Sequence, residues 1–451
     1  MSYLKFDKTV MINLEESLMR EVLRTNRVGA YHSSTVVDCN TRKYHGLLVM
    51  PVPALDEDNH VLLSSLDETV IQHGAEFNLG LHKYGENDFS PKGHKYIREY
   101  TCDTVPRTLY RVGGVIFSKE KVFSQYENRI MIKYTLEDAH SATTLRFRPF
   151  LAFRNVKDLT YANNNLNQSY TEVPNGIKMC LYAGYPNLFM QFSKKATFVY
   201  DPQWYYGIEY PKEQERGYPY KEDLFVPGYF ELPIKKGESV IFSAGDCQTA
   251  TTRLKSLYET EAQCRTPRTN FFNCLKNSAQ QFYFRPTADD AYLLAGYPWF
   301  KVRARDLFVS APGCTLAIDD PVRFEKIMAT CLPALSAFME DGAEDNVIKE
   351  ISEPDVLLWA IWAIQQYAKE MGIEKTNELY KEFVEEAIQY ILDQKHPNLH
   401  VMDSGLIFAD GGKDKAISWM NSMVNGKPVV PRSGYMVEFN ALWYNALCFL
   451  K

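Results

Sequence analysis

The sequence is poor in the residue patterns that build disulfide frameworks and metal centres. Its nine cysteines (Cys39, Cys102, Cys180, Cys247, Cys264, Cys274, Cys314, Cys331 and Cys448) are odd in number, scattered, and never spaced C-x-x-C. The start, MSYLKFDK, is charged and lacks the apolar stretch of a secretory leader, so reduced thiols and a cytoplasmic location are expected. Nine histidines are equally dispersed. His396 and His400 stand four apart, but Pro397 interrupts any helix that would align them as ligands. No metal and no organic cofactor is expected. No apolar run reaches the ~18 residues of a membrane-spanning helix. Basic charge is not in excess either: a net charge of −6 argues against nucleic acid or an anionic membrane as main partner.

Aromatic residues are what the chain has in plenty, with 29 Tyr and 26 Phe. Most such rings fill cores, and exposed ones make platforms for flat apolar faces, sugars included. Two halves follow different periods. Up to about residue 260 short β-type runs are cut by Gly, Pro, Asn and Asp; Ile130–Thr135, Thr143–Phe150 and Ser239–Ser243 are examples. Strands without intervening helices indicate an antiparallel sandwich. An insertion, Trp204–Phe225, carries many Tyr and Trp among charges and is expected as a surface loop.

From Glu259 the period becomes helical. Phe271–Phe284 reads as a helix, and Asp319-Asp320-Pro321 opens another that Pro333 should kink or split. Val356 to Ile364 are all apolar, which requires burial on every side, and Gly372 supplies a stop. Thr376–Leu392 then carries one apolar stripe through Leu379, Phe383, Val384, Ala387, Ile388, Ile391 and Leu392. A fully apolar helix followed by a one-sided one is the alternation of an inner and an outer helical ring. Glu438–Lys451 reads as a last helix ending without Gly, Pro or a polar cap. The helices amount to roughly half of a six-hairpin toroid, so the chain is expected to be C-terminally truncated. Leu442, Trp443, Ala446 and Leu450 would then be left exposed.

One carboxylate, Asp355, stands at the mouth of the all-apolar helix. Desolvation there would raise its pKa, as a general acid requires. Ser352-x-x-Asp355 also spells a capping box, with Ser352 as N-cap and Asp355 at the third helical position. Both readings can hold together.

Three separated segments resemble glycogen debranching enzymes of the bacterial and archaeal type: NRVGAYHSSTVVDCNTRKYHGLLVM (26–50), AGYPWFKVRARDLFVSAPGCTL (295–316) and SWMNSMVNGKPVVPRSGYMVEFNALWYNAL (418–447), with SEPDVLLWAIWAIQQY between the last two. The resemblance implies an N-terminal β-sandwich, drawn here as residues 1–262, and the first half of an (α/α)6 glucosidase barrel, residues 263–451. It implies amylo-α-1,6-glucosidase chemistry on glycogen or another branched α-glucan, by inverting acid–base hydrolysis, with Asp355 as general acid. No segment matches the family's second carboxylate, so the general base is expected beyond Lys451 and this chain alone is expected to be inactive. Arg305-Asp306 resembles the pair that holds the terminal glucose, though Arg303-Ala304 stands where Trp-Gly is usual. Trp299, Trp419 and Trp443 are candidate sugar platforms, and Glu438 and Asn440 candidate pocket polar residues. The alternatives are a related α-glucosidase or a non-catalytic glucan-binding protein. Transferase activity could come by family inheritance only, because nothing here alternates as a (β/α)8 domain.

Overall fold

Strand alternation in the first half resolves into two antiparallel sheets. A computed structural model describes residues 2–411 and 414–451, and the chain divides into two compact units, Met1–Gln281 and Phe282–Lys451. In the first unit the strands that frame the aromatic interior include Asn59–Gln72 (β1), Val115–Phe123 (β2), Arg129–Asp138 (β3), Thr143–Asn155 (β4), Leu188–Phe192 (β5), Thr197–Glu209 (β6), Lys221–Ile234 (β7) and Ser239–Gly245 (β8). A nine-stranded sheet contains β2-β3-β8-β5 as neighbours, and an eight-stranded sheet contains β6-β7-β4-β1.

Alternation along β4 shows why these sheets form a sandwich. Thr143, Leu145 and Phe147 are buried, while Thr144, Arg146 and Arg148 between them are partly exposed. The inward rings interdigitate across the two layers: Tyr134 of one sheet lies 4.9 Å from Phe147 of the other, Phe147 5.1 Å from Phe192, and Phe192 5.2 Å from Phe230. Ring pairs at such distances, tilted rather than face to face, suit the aromatic quadrupole. Polar groups cross the same interior. Glu68 accepts a hydrogen bond from Tyr134 at 2.6 Å and pairs with Lys119 at 2.6 Å.

The aromatic insertion is not a loop. Residues 204–209 belong to β6 and 221–225 to β7, with Trp204 directly opposite Phe225 and their rings 5.5 Å apart. Aromatic cross-strand pairs stabilise an antiparallel ladder, and pairing satisfies backbone groups that a loop would leave to water.

Five helices carry the second unit: Ala304–Cys314 (α1), Pro321–Asp341 (α2), Val356–Met371 (α3), Ile373–Leu392 (α4) and Val437–Leu450 (α5). Asp320 caps α2 by accepting the Arg323 N–H at 3.1 Å, and Pro321 occupies the first turn. Pro333 does not split α2, which runs through it for 21 residues. A proline removes one rung of the ladder, while burial of Phe324, Ile327, Met328, Leu335 and Phe338 holds the helix on either side. α3 packs against α1, α4 and α5, which accounts for the all-round apolarity of its run Val356–Ile364. On α4 the buried stripe is Tyr380, Phe383, Val384, Ala387, Ile388 and Ile391, whereas Leu379 and Leu392 at its edges are exposed.

Two further expectations are corrected. The helix from Phe271 ends at Ala279, and Tyr283–Phe284 pairs as a short strand with Tyr292–Leu293. In α5, Leu442, Trp443 and Ala446 are buried, because α3 and α4 cover that face and the Trp443 indole N–H donates to the Gly405 carbonyl at 3.2 Å. The large apolar residues exposed on α5 are Val437, Leu447 and Leu450, with Tyr444 beside them.

Phe147, fully buried where the two sheets meet, sets a test of the sandwich. Phe147→Ala should lower the unfolding free energy of the first unit by about 3–5 kcal/mol in chemical denaturation. A loss under about 1 kcal/mol would mean that the rings do not form one core.

Candidate active site

A two-residue parallel pairing sets the site's register. Val302–Arg303, entering α1, pairs with Ile348–Lys349, the start of the segment that enters α3. Parallel pairing brings the N-termini of both helices to one end, with Arg303 and Arg305 on one segment and Glu350, Glu353 and Asp355 on the other. Arg303 meets Glu350 at 3.3 Å and also lies over the Phe300 ring, 4.6 Å from its centroid. Glu350 adopts a left-handed φ of 61°, a conformation rare outside glycine and found where surrounding structure over-determines it.

Arg305 and Asp355 form the centre. Arg305 Nε donates to Asp355 Oδ2 and Nη2 to Oδ1, both at 2.8 Å, in the bidentate geometry that matches guanidinium to carboxylate. The Trp359 indole N–H adds a third bond to Oδ2 at 3.1 Å. Asp355 is 1% exposed and Arg305 7%. Burial opposes the charge of Arg305, but the hydrogen bonds and charge of Asp355 outweigh it and the pKa is raised. The Arg305 Nη1 group has no hydrogen-bond partner among the described residues.

The expected capping box is absent. α3 begins at Val356, with Asp355 itself at the N-cap position and making no side-chain cap bond. The physical reason is Pro354, which disfavours helical geometry at Glu353 and prevents a start at Ser352. The Asp355 carboxylate is thereby released from the backbone to meet Arg305.

Glu353 was not singled out by the sequence, yet it is the most perturbed acid of the group. It is half-buried and lies 3.2 Å from Arg305 Nη2. Burial pushes its pKa up, Arg305 opposes, and the charges of Asp355 and Glu350 add to the rise, to about 7. Trp359 was missed as well. Its spacing from Asp355, with Trp362 three residues further, puts all three on one helix face. The two indoles meet edge to face at 5.4 Å, both only half-buried, in a run, Val356–Ile364, that is otherwise buried at every position. An acid followed at i+4 and i+7 by tryptophans was the available signal.

The remaining candidates are placed as follows. Asp306 is exposed in the first turn of α1, where an acid complements the helix dipole. Trp299 is half-exposed beside Phe300. Glu438 opens α5 and is clasped bidentately by Arg432, with Trp419 also reaching it; Arg432 and Trp419 hold its pKa down. Trp419 itself is 60% exposed. Asn440 is engaged by backbone: it accepts the Ile407 N–H at 2.9 Å and donates to the carbonyls of Ile407 and Met436 at 3.0 Å. The structure thus brings Arg305 and Asp355 together, and Trp419 with Glu438, at the N-termini of two helices that pack on each other. Among the described residues no group of three His, Cys, Asp or Glu is arranged to hold a metal, and no helix is long and apolar enough to cross a membrane.

Comparison with known proteins gives two family matches. Residues 20–241 match the family described as glycogen debranching enzyme N terminal, and residues 276–451 match amylo-alpha-1,6-glucosidase. No curated protein matches the sequence. Among solved structures, a bacterial glucoamylase complexed with acarbose aligns at 10% identity and a TM-score of 0.39, over 87% of this chain and 59% of that one. A polysaccharide lyase aligns at 10% identity and a TM-score of 0.21, over 84% of this chain and 68% of that one. The chain therefore spans less than two thirds of the length of the glucoamylase.

The raised Glu353 gives a signed pH dependence. Between its ordinary value of 4.5 and about 7 the folded state binds a proton that the unfolded state has released. Its contribution is therefore full below pH 4.5 and fades as the pH rises through 7. Glu353→Gln should gain in Tm relative to the parent as the pH is raised from 4.5 to 7. Parallel Tm–pH curves would show that Glu353 titrates normally.

Proposed function

Because the chain belongs to the glycogen debranching enzyme family, we propose that it serves as a glycoside hydrolase that releases α-1,6-linked glucose from the branch points of cytoplasmic glycogen or limit dextrin. The helical region from about residue 263 would supply the catalytic domain, of the (α/α)6 kind, and the preceding residues a sandwich domain. The observation that carries this reading is the buried Arg305–Asp355 pair with Glu353 and Trp359 at one end of two neighbouring helices.

Inverting hydrolysis needs a carboxylic acid to protonate the glycosidic oxygen. A second carboxylate, roughly 6.5–9.5 Å away, activates water on the opposite face of the sugar. Asp355 takes the acid's role by its position in the family segment. Arg305, with Nη1 unoccupied, and the exposed Asp306 have the donors and acceptors that vicinal hydroxyls of a terminal glucose require. Half-exposed Trp299 and exposed Trp419 offer ring faces to sugar, and Glu438, held by Arg432, offers an acceptor at the pocket. Asn440 has its amide engaged on backbone, so its part would be to brace the start of α5.

A specific observation favours a second assignment within the same cluster. A general acid is most effective with a pKa near the working pH, and Glu353 has been pushed up to about 7 while Asp355 accepts three hydrogen bonds. In this variant Glu353 carries the proton and Asp355 positions Arg305.

Kinetics on limit dextrin, in a form of the protein that carries the second carboxylate, separate the two. Asp355→Asn removes one partner of a buried ion pair, which costs about 3 kcal/mol or more in stability, so folded variants are compared below their Tm. With Asp355 as acid, Asp355→Asn loses about 10²-fold or more of kcat and Glu353→Gln keeps the alkaline limb of the pH profile. With Glu353 as acid, Glu353→Gln takes the large loss and the limb near pH 7 disappears. Turnover within a few-fold of the parent in both variants would remove the cluster from the chemistry.

A further inference from the structure

In a protein of net charge −6, one small cavity in the first unit is lined by five cations and no carboxylate: Arg24, Arg27, Lys121, Arg265 and Arg268, with Asn277 beside them. Arg24 lies on the strand Glu21–Thr25, with Arg27 just after it, and Lys121 lies on β2. Arg265 and Arg268 come from the connection between the helices Leu254–Gln263 and Phe271–Ala279. Three separate segments thus converge with the same sign.

Like charges gathered under cover are unfavourable unless something compensates them. Lys121 finds Asp38, and Arg265 has Glu261 at 3.8 Å. Among the described residues Arg24 and Arg268 find only neutral acceptors: Arg24 donates to the Leu23 carbonyl and the Cys102 sulfur, and Arg268 to the same sulfur and to Asn277 Oδ1. Two guanidiniums therefore meet at one buried thiol, 2.7 and 3.3 Å from its sulfur, and Arg268 itself is 6% exposed. Burial holds the pKa of Arg268 and Arg265 below the usual arginine value, and repulsion from Arg24 adds to it in both. The cavity holds about 30 Å³, enough for one or two waters, or for a tetrahedral oxyanion drawn in against the guanidiniums.

We propose that this arginine cavity is a binding site for a phosphate group, free or carried as a sugar phosphate ester, that supplies the missing negative charge. Guanidinium forks match phosphate oxygens in geometry and charge. A site built from the sandwich edge and the following helices would couple phosphate to the stability of that junction. The proposal stands independently of the hydrolase reading.

Thermal unfolding of the full chain tests it, with inorganic phosphate titrated against chloride at constant ionic strength. Ligand that binds only the folded state raises Tm in a saturable way. The expected result is such a rise with phosphate, at least tenfold weaker in apparent affinity in Arg24→Gln and Arg268→Gln. Asn277→Asp places a carboxylate on Arg268 and should raise Tm without phosphate and lose the response to it. A merely structural arginine cluster would not produce that exchange. Glucose 1-phosphate in place of phosphate identifies the source: an affinity tenfold or more above phosphate indicates the ester, a lower or equal one free phosphate. No saturable rise, a rise equal to that in chloride, or an Asn277→Asp response like the parent's would overturn the proposal. Should that variant fail to fold, an Arg268→Gln response like the parent's overturns it equally.

Discussion

A guanidinium and a carboxylate removed from water together organise the helical unit. Arg305 and Asp355 sit on different segments, and each would be costly to bury alone. The bidentate pair cancels both charges and ties the entry of α1 to the entry of α3. The neighbouring features depend on that clasp. Glu353 is forced beside a guanidinium whose charge Asp355 already balances, and the pull of Arg305 cannot offset burial and the charges of Asp355 and Glu350. Trp359 turns its indole N–H to the remaining side of the same carboxylate.

The clasp also bears on why the first turns of α3, Val356–Ile364, can be apolar on every side. With its N-terminal carboxylate occupied by Arg305, the run leaves no uncompensated charge at its mouth, and α1, α4 and α5 pack against the helix. The exceptions, Trp359 and Trp362, are half-buried and follow Asp355 along one face. A half-buried aromatic face beside an ion pair is suited to sugar rings, which combine apolar faces with a rim of hydroxyls.

In the first unit the problem is the reverse. Two sheets bury a large aromatic interior, and charged groups are admitted only where partners meet them, as Glu68 does with Lys119 and Tyr134. The arginine cavity breaks that rule. There Arg24 and Arg268 are anchored to a carbonyl, an amide and a thiol, which satisfy hydrogen bonds but not charge. An interior that is polar-satisfied yet electrically unbalanced is a binding site by its own energetics.

Much of the architecture was legible in sequence because it rests on periodicity, which is a local property. Strand alternation before residue 260, the buried run from Val356, the stop at Gly372 and the cap at Asp320 each depend on neighbours a few residues away. The resemblance in three segments likewise depended on local strings. What local pattern could not decide was competition between partners far apart. Ser352-x-x-Asp355 satisfied a capping rule, yet Pro354 blocked it and an arginine fifty residues upstream took the carboxylate. Asn440 reads as a polar residue near a pocket, but its amide is occupied by Ile407, on a strand that only the fold brings to α5. Trp204–Phe225 has the composition of a loop and becomes a hairpin because β4 and β1 extend the sheet that it joins. The sequence by itself determined which segments are strands and helices and which residues could carry chemistry. Tertiary structure decided their partners, because burial and charge pairing are settled between segments that meet only once the chain has folded.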